Sequence, residues 1–232
     1  YGPGTTQFIN LEGICSGELP QYVAQFNGQS SVSIGNSGTI NSPIAALTMT
    51  GWFTVATFSQ DSAYPSPLDK ERQYGIYLHP TGVECDISPS WNGNTGSAQI
   101  STGVWYFFSC TYDGSYKKIY LNGNLLASFS ATGTISPNSN NLGIGVGGNF
   151  NYGGYGMYGS EANIQIYNTS LSSSEIQALY QEGIGGAPID LQHLVAWWPL
   201  NGNANDYSGN GNNGVPTNVK FVSNWWQGYT PP

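Results

Sequence analysis

Short runs of alternating apolar and polar residues, each closed by Gly, Asn, Ser or Pro, fill most of the chain from Tyr22 onward. YVAQF ends at Asn27-Gly28, SVSIG at Asn36-Ser37-Gly38, and LTMTGWFTVATF runs into a loop at residues 59–73. A period of two broken by turn residues predicts β-strands, and tight turns between them predict antiparallel pairing. YGIYL and VECDI, on either side of His79-Pro80-Thr81-Gly82, predict one hairpin. KKIYL and LLASF around Asn122-Gly123 predict another, because Asn-Gly suits the left-handed turn that joins two twisted strands. In VWYFFSCTY the alternation sets Trp105 and Phe107 on one face and Tyr106 and Phe108 on the other. Both faces are apolar, as expected of a central strand in a two-sheet sandwich.

A 3.6-residue period appears once, over residues 173–182. Ser172 is placed to cap it, Glu175 completes a capping box, Ile176, Leu179 and Tyr180 form the apolar face, and Gly183 ends it. The reading is therefore an all-β, two-sheet antiparallel sandwich with one short covering helix. Residues 1–20, punctuated by Gly and Pro, read as a peripheral arm, and residues 21–232 as one domain.

Composition narrows the function. Only 8% of the 232 residues are charged, against about a quarter in an average soluble protein, and 32 Gly, 16 Tyr and 7 Trp take up the difference. The net charge of −8 opposes binding to nucleic acid or to an anionic membrane surface. The apolar runs are far shorter than the roughly 20 residues of a spanning helix, so membrane insertion is not expected. A start at Tyr1 rather than Met suggests that an upstream segment has been removed. Of Cys15, Cys85 and Cys110, the last two lie in strand-like segments close in sequence, and their pairing as a disulfide is expected; a disulfide and low charge fit an extracellular or cell-surface setting.

Several motifs now agree in order. GVWYFFSCTYDGSYKKIYLNGNLLAS is followed by LGIGVGGN and then by YGSEANIQIYNTSLSSSEIQALY, with QFNGQSSVSIGNSGTINSPIAALTMTGWFTV upstream. Together they resemble a laminin G-like, concanavalin A-like jelly-roll domain, which implies that fold. LVAWWPLNGNANDYSGNGNNGVPTNVKF, within residues 194–221, also resembles this family, in which it normally comes first. Either the domain is circularly permuted or a second repeat opens here. Permutation is favoured, because residues 1–20 hold no opening strand of that kind. It also raises self-association, since a terminal strand that fills its own sheet can fill a neighbour's.

The search for chemistry gives a binding domain rather than an enzyme. Sugar cleavage requires two carboxyl groups about 5–9.5 Å apart. Glu84 and Asp86 alone have suitable spacing, and they read as solvent-facing residues opposite inward Val83, Cys85 and Ile87. Asp206, with Asn203 and Asn210, offers oxygen ligands to calcium, the one cofactor that the family resemblance implies; an Asx turn is the other reading. Saccharides are held by aromatic faces and planar amides. The loops are rich in both, and three clusters stand out: Trp91 with Asn92 and Asn94; Asn151 and Tyr152 with Tyr155 and Tyr158; and Trp225 with Trp226. Asn168-Thr169-Ser170 is a glycosylation sequon. The expected function is recognition or adhesion, with a carbohydrate or glycoprotein as partner. A subunit of a surface filament or surface layer is the alternative.

Overall fold

A computed structural model describes residues 18–58 and 64–232. Most of the expected arm, Cys15 included, lies outside the described residues. Two antiparallel sheets face each other across an apolar core. The larger contains β1 (Val23–Asn27), β3 (Leu47–Val55), β8 (Trp105–Tyr112), β9 (Tyr116–Leu121), β10 (Asn124–Ser130) and β12 (Tyr158–Tyr167), with β13 (Leu194–Trp198) and β15 (Lys220–Val222) from the chain's end. Its path runs β10-β9-β8-β3-β12-β1-β15, and β13 also pairs with β12. The smaller runs β14 (Gly214–Thr217), β2 (Ser31–Ile34), β11 (Leu142–Ile144), β4 (Leu68–Lys70), β5 (Tyr74–His79), β6 (Gly82–Ile87) and β7 (Thr95–Ser97).

The alternation of the sequence fixes which side chains meet. Phe53, Phe108 and Cys110 from the larger sheet enclose the core with Ile76, Val83 and Cys85 from the smaller. The Cys85–Cys110 disulfide crosses it from β6 to β8. Central strand β8 has its second apolar face as expected. Trp105 and Phe107 join Trp52 in an outer cluster, which Ile176 and Leu179 of helix α2 (Ser173–Gln181) cover. Ser172 accepts from the Glu175 N–H while the Glu175 carboxylate accepts from the Ser172 N–H at 2.7 Å, so the capping box forms. A second helix, α1 (Tyr152–Tyr155), is a single turn in a Gly-rich loop that the 3.6-residue pattern does not announce. Asn122 and Gly123 both have positive φ, at 48° and 75°, as the hairpin between β9 and β10 demands.

The C-terminal block completes both sheets of its own chain. β14 pairs with β2, β15 with β1, and β13 with β12. β1 meets β12 over residues 158–161 and β13 meets it over residues 164–167, so the two strands lie end to end along one edge of β12. Asn201 Oδ1 accepts from the Tyr22 N–H at 2.8 Å beside that junction.

Candidate functional site

The outer face of the smaller sheet carries the densest polar chemistry. In β5 and β6 the inward residues leave Tyr77, His79, Glu84 and Asp86 pointing outward. Asp69 on β4, Gly75 on β5 and Asp86 on β6 stand opposite one another in register. Gly75 leaves room there for the Asp69 carboxylate, which a side chain on residue 75 would force to shift. Two loops rise around this floor. One brings Trp91; the other brings Gly148, whose N–H donates to Asp69 Oδ2 at 2.9 Å, and Tyr155, whose ring meets Tyr77 edge-on at 5.5 Å. Between them is a cleft of about 390 Å³, lined also by Tyr64, Glu71 and Arg72. Arg72, held at φ 64° by the turn after β4, sets its guanidinium 5.9 Å over the Trp91 ring.

Burial shapes the electrostatics of this floor. Asp69 accepts from the Tyr77 hydroxyl at 3.0 Å, and burial, reinforced by the charge of Glu71, pushes its carboxyl up to about 7. Burial and then Glu84 raise Asp86 to about 6. Asp86 is therefore not the solvent-facing residue that alternation suggested: it is 4% exposed, beneath the Trp91 loop, and accepts from the Gly93 N–H at 2.9 Å. Lys117 reaches it at 3.9 Å from the other sheet and is lowered to about 8, chiefly by burial. Glu84 bonds the His79 ring at 2.6 Å, and Tyr64 stacks on that ring. The cleft thus combines aromatic walls with a preorganised polar floor, the combination that holds a small polar ligand in one orientation.

The Asp206 block has a different role. Its Oδ1 accepts from the Trp197 and Ser208 N–H groups, and its Oδ2 from the Ser208 hydroxyl and the Asn212 N–H, all at 2.9–3.0 Å. Four donors use the full lone-pair complement of a carboxylate. Asn203 Oδ1 accepts from the Asn205 N–H, and Asn210 turns its amide nitrogen, not its oxygen, toward the Leu194 and Val195 carbonyls. The expected calcium ligands Asp206, Asn203 and Asn210 therefore do not fit a cation. They form an Asx-turn pin that fastens residues 203–212 to β13. Among the described residues no group of three or more His, Cys, Asp or Glu is placed to hold a metal. Replacing Asp206 with Ala is expected to cost about 2 kcal/mol, because these donors lose a charged acceptor. Calorimetry should show the melting temperature falling by roughly 4–8 °C, with or without a chelator.

The family model described as the concanavalin A-like lectin/glucanases superfamily matches residues 26–177. The chain belongs to this superfamily. Among solved structures, a candidate carbohydrate-binding protein from Bacteroides ovatus is 15% identical, with a TM-score of 0.70 over 88% of this chain and 60% of that one. This chain thus spans about three fifths of that relative. A heptameric SAP-like pentraxin from Limulus polyphemus is 14% identical, with a TM-score of 0.59 over 88% and 95% of the two chains. The CBM40 of a Ruminococcus gnavus IT-sialidase, solved with α2,3-sialyllactose, is 16% identical, with a TM-score of 0.54 over 71% and 100%. At such identities the likeness is one of fold. No curated protein matches the sequence.

Within this superfamily fold, the sequence-predicted binding residues disperse. Trp91 and Tyr155, from different clusters, come together in the cleft, and Asn92 and Asn94 share the Trp91 loop. Asn151 precedes α1 at the surface, and Tyr152 turns away to bond Ser31 at 2.9 Å. Tyr158 packs over Gly28, apart from the cleft. Trp225 is 5% exposed, meets Trp105 edge-on and donates to the Pro20 carbonyl, while Trp226 is 42% exposed. Tyr77, Tyr64 and Arg72 escaped the sequence reading. Tyr77 was within reach of it, since it shares the outward register of Glu84.

Proposed function

We propose that the chain is an extracellular carbohydrate-binding domain that holds a neutral saccharide in the cleft between Trp91 and Tyr155 without cleaving it. The observation that carries this reading is the convergence of aromatic rings from three separate segments on one polar floor. Rings pack against the C–H faces of a sugar, and the floor meets its hydroxyls. Glu71, Glu84 and Asp86 line the cleft with Arg72, so carboxylates outnumber the lining guanidinium and a neutral ligand suits the cleft better than an acidic one. Glu84 and Asp86 are already engaged by His79 and by Gly93 with Lys117, which favours binding over turnover. The carbohydrate-binding relatives support a sugar partner. The disulfide and the exposed Asn168 of the sequon support an oxidising, extracellular location.

Titration with neutral oligosaccharides, followed by amide NMR, tests the reading at the site itself. The amides of Gly93 and Gly148 should shift, and Trp91→Ala should weaken the response of Gly148 about tenfold or more, equivalent to about 1.4 kcal/mol. Chelation should leave it unchanged. Shifts that are absent there in the native chain, or that survive both Trp91→Ala and Tyr155→Ala at full affinity, would sink the proposal.

A further inference from the structure

The opposite face of the molecule holds a second groove, of about 460 Å³. It lies on the larger sheet where the cover of helix α2 and the C-terminal tail ends. The register explains its chemistry. Across β15, β1, β12, β3 and β8, the residues Lys220, Gln25, Ser160, Thr54 and Trp105 stand directly opposite one another in turn. Directly paired residues share a face, so these five side chains form one row across the strands. At a strand spacing of about 4.8 Å the row is roughly 19 Å long.

Two residues along each strand, the same face changes character. Val222 pairs with Val23, and Ala162 pairs with Trp52, which pairs with Phe107. That row is apolar, and its core members Val23, Ala162, Trp52 and Phe107 are buried in the outer cluster. The open row is polar. Gln25, Ser160, Lys220 and the tail residues Asn224 and Gln227, which form the facing wall, make no side-chain hydrogen bond among the described residues. Thr54 Oγ1 lies buried beneath the row, without a partner. Trp105 closes the row at one end and Trp225 backs it, each held by its indole N–H.

We propose that this groove is a second saccharide site, which takes a neutral, hydroxyl-rich oligosaccharide lying across the strands. Side-chain amides donate and accept together, as vicinal hydroxyls do, and the groove presents three exposed ones, Gln25 from the row and Asn224 and Gln227 from the facing wall. An apolar partner helix would leave these polar groups unsatisfied at a cost. A sulfated or phosphorylated ligand would find one exposed lysine, worth little in water. Unlike the acidic cleft, the groove contains no carboxylate. The inference is independent of the cleft, because the two sites share no residue.

The test uses the full chain in its native, Trp91→Ala and Gln25→Ala/Gln227→Ala forms, titrated with neutral hexasaccharides of glucose, xylose, mannose and arabinose. The expected result is that at least one shifts the amides of Gly103, Ser160 and Gln227. Trp91→Ala should leave that affinity unchanged, while the double variant, folded as judged by its amide spectrum, should lose tenfold or more. Shifts confined to Gly93 and Gly148 would overturn the groove and spare the cleft. Groove shifts that the double variant does not weaken would overturn the assignment of these side chains. A native chain that responds at neither set would overturn both sites.

Discussion

Replacing Cys85 and Cys110 by Ala is expected to lower the melting temperature by roughly 7–14 °C. The disulfide closes a loop over a sequence separation of 25, and in the chain-entropy account such a loop constrains the unfolded chain by about 3.5 kcal/mol. At this chain length each kcal/mol moves the midpoint by about 2–4 °C. Position adds to the effect: the bond ties β6 to β8 across the core, and both cysteines are buried, at 0% and 1% exposure. The same burial shields the bond, so thiol reductants should act slowly on the folded chain and quickly once it opens. Scanning calorimetry of the double variant, against Cys15→Ala as control, decides the matter. A midpoint within about 2 °C of the control would show that the core alone sets stability.

Replacing Glu161 with Met, in contrast, is expected to stabilise the protein by about 3 kcal/mol at neutral pH, a rise of roughly 6–12 °C. Glu161 lies on β12 opposite Ala24 and Phe53, both in the core between the sheets. It is fully buried, and neither carboxylate oxygen has a hydrogen-bond partner. Desolvation raises its pKa well above the ordinary 4.5. The sign follows from linkage. The folded chain holds a proton that the unfolded chain gives up above pH 4.5, so this group removes stability as pH rises from there toward the folded value. Native protein should therefore lose stability across that window, and Glu161→Met should be flatter. Glu161→Gln should share the flatter profile with a smaller gain, because its amide stays buried without partners. Urea midpoints between pH 4 and 8 measure all three chains. A Met variant less stable than the native chain would show that Glu161 is engaged in the fold.

Where the chain's own pattern is local and strong, the fold was legible. The Asn122-Gly123 turn, the Ser172 capping box and the doubly apolar β8 each demand one conformation from adjacent residues. The pairing of Cys85 with Cys110 also followed, because each lies in a strand-like segment and the two segments are close in sequence. The candidate sites were half legible. Trp91 and Tyr155 were visible as loop aromatics, but their convergence depends on β4, β5 and β6 lying side by side, which no local pattern encodes. The Asp206 block left its two readings, calcium or an Asx turn, undivided for a different reason. An oxygen-rich loop reads alike whether its lone pairs face a cation or its own N–H groups, and only three-dimensional direction separates the two. The groove row escaped because it runs across five strands, perpendicular to the direction in which a sequence is read.

The end-to-end placement of β13 and β1 bears on how the molecule is made. A ribosome releases the chain from its N-terminus, so β12 emerges with one edge half covered by β1 and the other half bare. The strand that covers the bare half, with the fully buried Trp198, arrives only with residues 194–198. β14 and β15 follow later still, and each completes an edge of a different sheet. Neither layer can close before residues 194–222 have been synthesised, which ties closure of both sheets to that late segment.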